Sequence, residues 1–221
     1  MTRIKNWLDY YDEKAKSNSK SISWVSGYHR KLATISEETH REWYMMIKKK
    51  LGLKKSQLLL DVGCGAGFMT IPLSKYVGTI IGLDALQSML GRIPEKHRNI
   101  VKVWAKADRI PLPDNYVDRA LCNSIFQYFD SYAYAEKVLK EMYRVCKPGG
   151  YMLIVDLPDK GKQKDYTAKL KKEEFKHKHL KRILYDKKFF LKLFPNAKVF
   201  DQGIKGYGNS PFRFNVLVKK K

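Results

Sequence analysis

The chain is poor in cysteine, poor in acid, and has no long apolar run. Its 221 residues include only Cys64, Cys122 and Cys146, without the paired spacing of a zinc site. That excludes a disulfide-stapled scaffold and fits a reducing cytoplasm, with the three thiols expected as small buried residues. No stretch approaches the roughly 20 apolar residues that cross a bilayer. The opening MTRIKNWLDYYDEK has no apolar region of the secretory kind. Histidine offers no metal set: His177 and His179 form an H-x-H pair amid lysines, which is poor ground for a ligand site and reads as solvated. Lys and Arg number 44 against 22 acids, a net charge of +22. Such an excess attracts nucleic acid, an anionic membrane face or phosphate-bearing small molecules, and a heavily solvated lysine surface gives the same composition. The length suits one domain with a full core.

The informative stretch is Leu58–Thr70, LLLDVGCGAGFMT. A short apolar run ends in an acid, glycines alternate with small residues, and a helix-like segment follows, which reads as a buried strand, a tight turn and a helix start. Gly63, Gly65 and Gly67 lack Cβ, so the turn can take positive φ and admit a ligand close to the backbone. The spacing departs from the dinucleotide fingerprint, because Phe68 stands where its last glycine would be. Asp61 would repel a pyrophosphate and attract an ammonium. Asp84, in IIGLDALQSML, follows about 20 residues later at the next strand tip, placed to accept from ribose hydroxyls. The turn therefore suits a ribose and a cation.

Before this turn, residues 1–57 show no strand-like alternation. They carry aromatic helical stretches (Trp7, Tyr10, Tyr11; Trp24, Tyr28) and a helix from about 37 to 51, with Ser36 as cap, Glu37 and Glu38 in the first turn, Lys48–Lys50 in the last, and Gly52 as stop. Trp43, Ile47 and Leu51 share one face of it, expected to pack on the sheet. From Leu58 strands and helices alternate: strands at about 58–62, 79–83, 100–105 and 118–122, helices at about 67–76, from Leu86, and at 131–146. Lys147-Pro148-Gly149-Gly150 is expected to turn the chain before the strand YMLIVD. Two late strand candidates lie at about 198–204 and 212–219. This alternation means a parallel sheet covered on both faces. After YMLIVD, residues 160–182 hold ten Lys or Arg against three acids in 23 positions, either a basic acceptor-side insertion (160–195 overall) or a solvated helix.

D-V-G-C-G-A-G followed by G-L-D resembles class I S-adenosylmethionine-dependent methyltransferases, specifically the small-molecule group called methyltransferase type 11, from roughly Leu58 to Val155. The resemblance implies a Rossmann-like α/β fold with a seven-stranded, mostly parallel sheet, a C-terminal antiparallel hairpin strand and an N-terminal helical cap. It divides the chain into a cap or lid at 1–57 and a cofactor-binding domain at 58–221. The implied cofactor is S-adenosyl-L-methionine, leaving S-adenosyl-L-homocysteine. Its methionine part is expected at Asp61, Gly63, Cys64, Gly65 and Gly67, its ribose at Asp84 with Ala85 and Leu86, and its adenine at Asp108 with Ala107 and Arg109 lending backbone groups. Asn123 in LCNSIFQYF is expected between cofactor and acceptor, followed by Gln127 and Tyr128. N-S-I-F-Q-Y-F resembles the version in sugar and small-metabolite enzymes. It lacks the signatures of amino-group methylation on nucleobases and of cytosine-C5 chemistry.

Methyl transfer from a sulfonium needs mainly positioning, and a base only for a hydroxyl or ammonium acceptor. The candidates are His29, Asp156, Tyr128 and His97. His29 stands with Trp24 and Tyr28 in the expected lid, and Arg213 is a lesser candidate for holding an anion. The expectation is a methyltransferase acting on a small, phosphate- or carboxylate-bearing acceptor, most simply a sugar oxygen, with peripheral contact to an anionic membrane left open. An RNA methyltransferase and a non-catalytic cofactor-binding protein remain alternatives. A nicotinamide-dependent oxidoreductase is disfavoured by the glycine spacing.

Overall fold

A computed structural model describes residues 4–19, 21–28, 35–170 and 179–221. Helices α1 (Trp7–Lys16), α2 (Ile22–Val25) and α3 (Glu37–Leu51) come first. The alternating part follows: β1 (Leu58–Val62), α4 (Thr70–Ser74), β2 (Thr79–Asp84), α5 (Gln87–Leu90), β3 (Ile100–Trp104), β4 (Val117–Asn123), α6 (Tyr132–Val145) and β5 (Cys146–Pro158). The last elements are α7 (Gln163–Leu170), α8 (Lys187–Leu193), β6 (Lys198–Asp201) and β7 (Arg213–Lys219). The seven strands form one sheet in the order β3-β2-β1-β4-β5-β7-β6. β1 to β5 run parallel, and β7 lies antiparallel between β5 and β6.

The helix and strand chemistry follows local rules. Ser36 Oγ accepts from Thr39 N–H and Gly52 closes α3 at φ 57°. Ser131 caps α6 in the same way, an arrangement worth about 1 kcal/mol. Trp43, Ile47 and Leu51 are buried against Leu59, Leu121 and Leu153 on one side of the sheet. Val138, Leu139 and Met142 of α6, with Phe190 of α8, fill the other side against Leu60, Val62 and Ile154. Both faces are thus covered, as a parallel sheet needs.

Two expectations change in detail. The helices after the first two strands are only the short α4 and α5, because the chain turns for several residues before each begins. Lys147–Gly150 does not break the strand: β5 runs through it, and the register with β4 shifts between Val117 and Arg119, so the extra residues bulge outward. Asp118 is a strand clamp, accepting Leu58 N–H at 2.8 Å and pairing with Lys147 at 2.8 Å. No helix among the described residues is long and apolar enough to cross a membrane.

Candidate active site

Period-two geometry sends the first carboxylate to a definite place. Along β1, Leu60 and Val62 face α6, so Leu59 and Asp61 point to the opposite side, beneath the start of α4. Asp61 is 1% exposed and accepts from Thr70 Oγ1 at 2.6 Å. Burial pushes its carboxyl up to about 7, and the charge of Asp84 adds to the effect.

The glycine turn is fastened to the tip of β2. Gly63 and Cys64 donate their N–H groups to Leu83 O at 2.7 and 3.0 Å. Asp84 accepts Gly65 N–H on one oxygen at 2.8 Å and Leu86 N–H on the other at 2.9 Å. Gly63 and Gly65 hold φ of 72° and 54°, the left-handed region that a Cβ makes costly. A Cβ on Gly63 would come within 2.5 Å of Ile125, whereas one on Gly65 would meet nothing within 4 Å. The turn is therefore closed toward β4 and open toward the ligand side.

These strand tips floor a cavity of about 820 Å³. Asp61, Gly63, Cys64 and Gly65 border it from β1 and its turn, Asp84, Ala85 and Leu86 from β2, and Ala107 from the loop after β3. Asn123 and Tyr128 border it from the end of β4, completing most of the expected set. Gly67 and Asp108 do not border it. Gly67 is needed for packing, since a Cβ there would strike Ile71 and Ile93. The carboxylate of Asp108 accepts from the hydroxyl of Tyr134 at 3.0 Å, and Tyr134 itself forms that part of the wall.

The base candidates separate. His29 and His177 lie outside the described residues. His97 sits in the turn after α5, away from the cavity. His179, expected to be merely solvated, borders the cavity with Nε2 at 3.0 Å from Ile4 O. Asp156 and Arg213 do not reach the cavity. They form a buried ion pair, Nε to Oδ1 3.5 Å, with side chains 0% and 2% exposed.

The roof was harder to foresee. Trp7 of α1 donates its indole N–H to Lys181 O at 2.7 Å and lies 4.6 Å from the Tyr128 ring. Tyr11 donates its hydroxyl to that of Tyr128 at 2.7 Å. Ser88 Oγ donates to Asp12 at 2.6 Å, fixing α1 to α5 at the far side of the opening. Sequence signals only an aromatic face at i, i+4 spacing; the partner segment near 180 is more than 160 positions away. Of the charged residues at the cavity, Asp61 and Asp84 lie at the floor, Lys5, Lys181 and Arg182 at the edge of the roof, and Lys106 and Asp130 on the loops after β3 and β4.

Behind the end of β4 lies a polar layer. Ser124, which borders the cavity, donates its hydroxyl to Asp156 Oδ2 at 2.5 Å. Gln127 Nε2 donates to Ser124 O and Oγ at 3.1 and 3.2 Å. Tyr207 donates to the same oxygen of Asp156 at 3.1 Å, and Asp156 N–H donates to Asn215 Oδ1 at 3.0 Å.

Residues 60–154 match the family described as a methyltransferase domain. Demethylmenaquinone methyltransferase of Staphylococcus aureus (strain MRSA252) is 36% identical over 135 residues, covering 58% of this chain and 55% of that protein. The chain thus spans about half the length of the curated relatives it matches. Among solved structures, phosphoethanolamine N-methyltransferase 1 of Haemonchus contortus, in complex with phosphoethanolamine and S-adenosylhomocysteine, superposes with a TM-score of 0.73 at 16% identity, over 95% of this chain and 47% of that one. A SAM-dependent methyltransferase of Aquifex aeolicus gives 0.58 at 24% identity, over 93% and 96%. At these identities the likeness is one of fold. The matched span of the methyltransferase domain supplies the floor of the cavity, β1 to the tip of β4. The roof, built from α1 and residues 179–183, lies outside it.

Proposed function

We propose that the chain binds S-adenosylmethionine over the glycine turn and transfers its methyl group to a small, negatively charged acceptor, most simply an oxygen of a sugar or sugar-linked metabolite. The observation that carries the reading is the buried, uncompensated pair of acids beside an open turn. Asp61 has no ion-pair partner among the described residues and Asp84 offers two oxygens at the neighbouring tip. An ammonium placed at Asp61 restores the solvation that burial removed, and ribose hydroxyls can donate to the lone pairs Asp84 has left. Leu86, Ala107 and Tyr134 give an apolar slot with backbone groups for the base. When bound, the cofactor supplies an electrophilic methyl carbon on a positively charged sulfur.

The chain's own residues then have to orient the acceptor and exclude water. Asn123 and Tyr128 face the space between floor and roof, and Lys5, Lys181 and Arg182 at its edge favour an anion. Residues 1–57 act as the cap in this reading, α1 being the part that closes the opening. A second reading is favoured by the rings of Trp7, Tyr11 and Tyr128 at the acceptor end together with a relative named for demethylmenaquinone: an aromatic-ring acceptor, its flat faces stacked on theirs.

The test is transfer of label from methyl-tritiated cofactor into pools of nucleotide sugars, lipid-linked glycans, quinols and RNA. Label in the sugar or glycan pools supports the first reading and label in quinols the second. Label in RNA alone, with strongly salt-dependent binding, would replace both.

A further inference from the structure

We infer that Ser124 touches the acceptor hydroxyl and that Asp156, buried behind it, receives the proton through the Ser124 side chain; this rests on the methyltransferase reading of the cavity. The geometry is unusual in the same way just past the end of β4 and at the irregularity of β5 between Ile154 and Leu157. Ser124 has φ 62° and Asp156 φ 65°, and together with Asn115 they are the non-glycine residues at positive φ among those described. Such a backbone conformation is strained and persists only where the surroundings over-determine it. Here the surroundings are the hydrogen bond between the two side chains, Ser124 N–H to Val155 O at 3.0 Å, and Asp156 N–H to Asn215. The effect of the strain is to turn Ser124 toward the cavity and the Asp156 carboxylate toward Ser124.

The charges around the pair suit a group that alternates between ionised and neutral. Arg213 of β7 stands at 3.5 Å from Asp156 Oδ1, Tyr207 donates to Oδ2, and Tyr28, Tyr128 and Arg182 face the same pocket from the roof side. Burial raises the carboxyl from its ordinary value while the guanidinium opposes the rise. Oδ1 of Asp156 accepts no hydrogen bond from the described residues and Oδ2 accepts two, so a proton can be taken up without breaking the Arg213 contact.

In the step itself, the acceptor's O–H proton passes to Ser124 Oγ as the proton of Ser124 passes to Asp156 Oδ2. The acceptor oxygen keeps its electron pair for the new carbon–oxygen bond, and the pair of the broken carbon–sulfur bond stays with sulfur. Asp156 ends as the neutral acid and Ser124 is regenerated. Ser124 is thus the catalytic residue and Asp156 a positioning residue and proton store.

An acceptor-free experiment tests the placement. Sinefungin is the analogue of S-adenosylhomocysteine in which an amine-bearing carbon replaces the sulfur, so its ammonium stands where the transferable methyl would. Affinities of both compounds are measured by calorimetry for wild type, Ser124→Ala, Ser124→Gly and Asp156→Asn. A lost hydrogen bond to a charged group should weaken sinefungin tenfold or more in both Ser124 variants while S-adenosylhomocysteine changes less than threefold. Ser124→Gly relieves the strain at positive φ, so its retention of S-adenosylhomocysteine separates folding from recognition. An unchanged ratio of the two affinities in the Ser124 variants would overturn the assignment. Asp156→Asn should lower the same ratio; equal loss of both ligands would make Asp156 structural and remove it from the relay. Failure of wild type to bind either compound would instead sink the cofactor reading.

Discussion

Asp61 gives the most quantitative expectation. Its carboxyl is raised to about 7 because it is buried on the α4 side of β1 with Thr70 as hydrogen-bond donor and Asp84 nearby. A cationic ligand binds the ionised form. With the group titrating near 7, about one tenth is ionised at pH 6 and about nine tenths at pH 8, a tenfold gain, about 1.4 kcal/mol, that the half-neutral ligand amino group at pH 8 cuts to a roughly fivefold rise in S-adenosylhomocysteine affinity over that interval. The sign follows from the raised value: the Asp61 contribution is weakened below pH 7 and full above it, and each binding event at pH 6 releases close to one proton. The ligand's own amino group titrates near 8 and so remains mostly charged up to about pH 7.5. Calorimetry at pH 6.0, 7.0 and 8.0, in buffers of different ionisation enthalpy, reads both affinity and proton release. Asp61→Asn should bind weakly and with no slope between pH 6 and 7.5. A flat wild-type profile with no proton released would refute the idea that a buried, cation-seeking carboxylate anchors the ligand.

Other outcomes follow from single contacts. Asp84→Ala frees the N–H groups of Gly65 and Leu86 as well as removing a ribose acceptor, and should cost at least tenfold in cofactor affinity by calorimetry; an unchanged value would refute the ribose role. Gly63→Ala and Gly65→Ala should part company. The first drives a methyl into Ile125 and lowers the unfolding midpoint, whereas the second meets open space and lowers ligand affinity more than stability. Equal effects on both readouts would contradict the described orientation of the turn. Arg213→Met leaves Asp156 buried without its cation, and denaturant unfolding should show a loss of about 3–5 kcal/mol at neutral pH; a loss under 1 kcal/mol would mean that Arg213 does not compensate the charge of Asp156.

The floor was legible because its rules are local. An apolar run, an acid, alternating glycines and a second acid at the next tip fix β1, the turn and β2, and α3 follows from Ser36, its charge pattern and Gly52. The short helices α4 and α5 escaped because helix periodicity in FMTIPLSKYV and ALQSMLGRI does not say how many residues the turn takes first. The contact of Asp108 was not legible either, since the tyrosine that donates to its carboxylate, Tyr134, lies 26 residues further along the chain. Arg213 and Asp156 looked like separate candidates for anion and base. Their pairing depends on β7 lying antiparallel beside β5, a long-range fact. The roof depends on Trp7 and Tyr11 meeting Lys181 and Tyr128 across nearly the whole chain. Nothing in the sequence near Ser124 announces its left-handed backbone.

The most direct measurement is titration of the wild-type chain with S-adenosylhomocysteine at pH 8, with NAD as competitor. One-to-one binding that NAD does not displace, and that vanishes in the Asp61→Asn, Asp84→Ala double variant, is the expected result. No binding of the nucleoside, or its displacement by a dinucleotide whose pyrophosphate occupies the glycine turn, would contradict it.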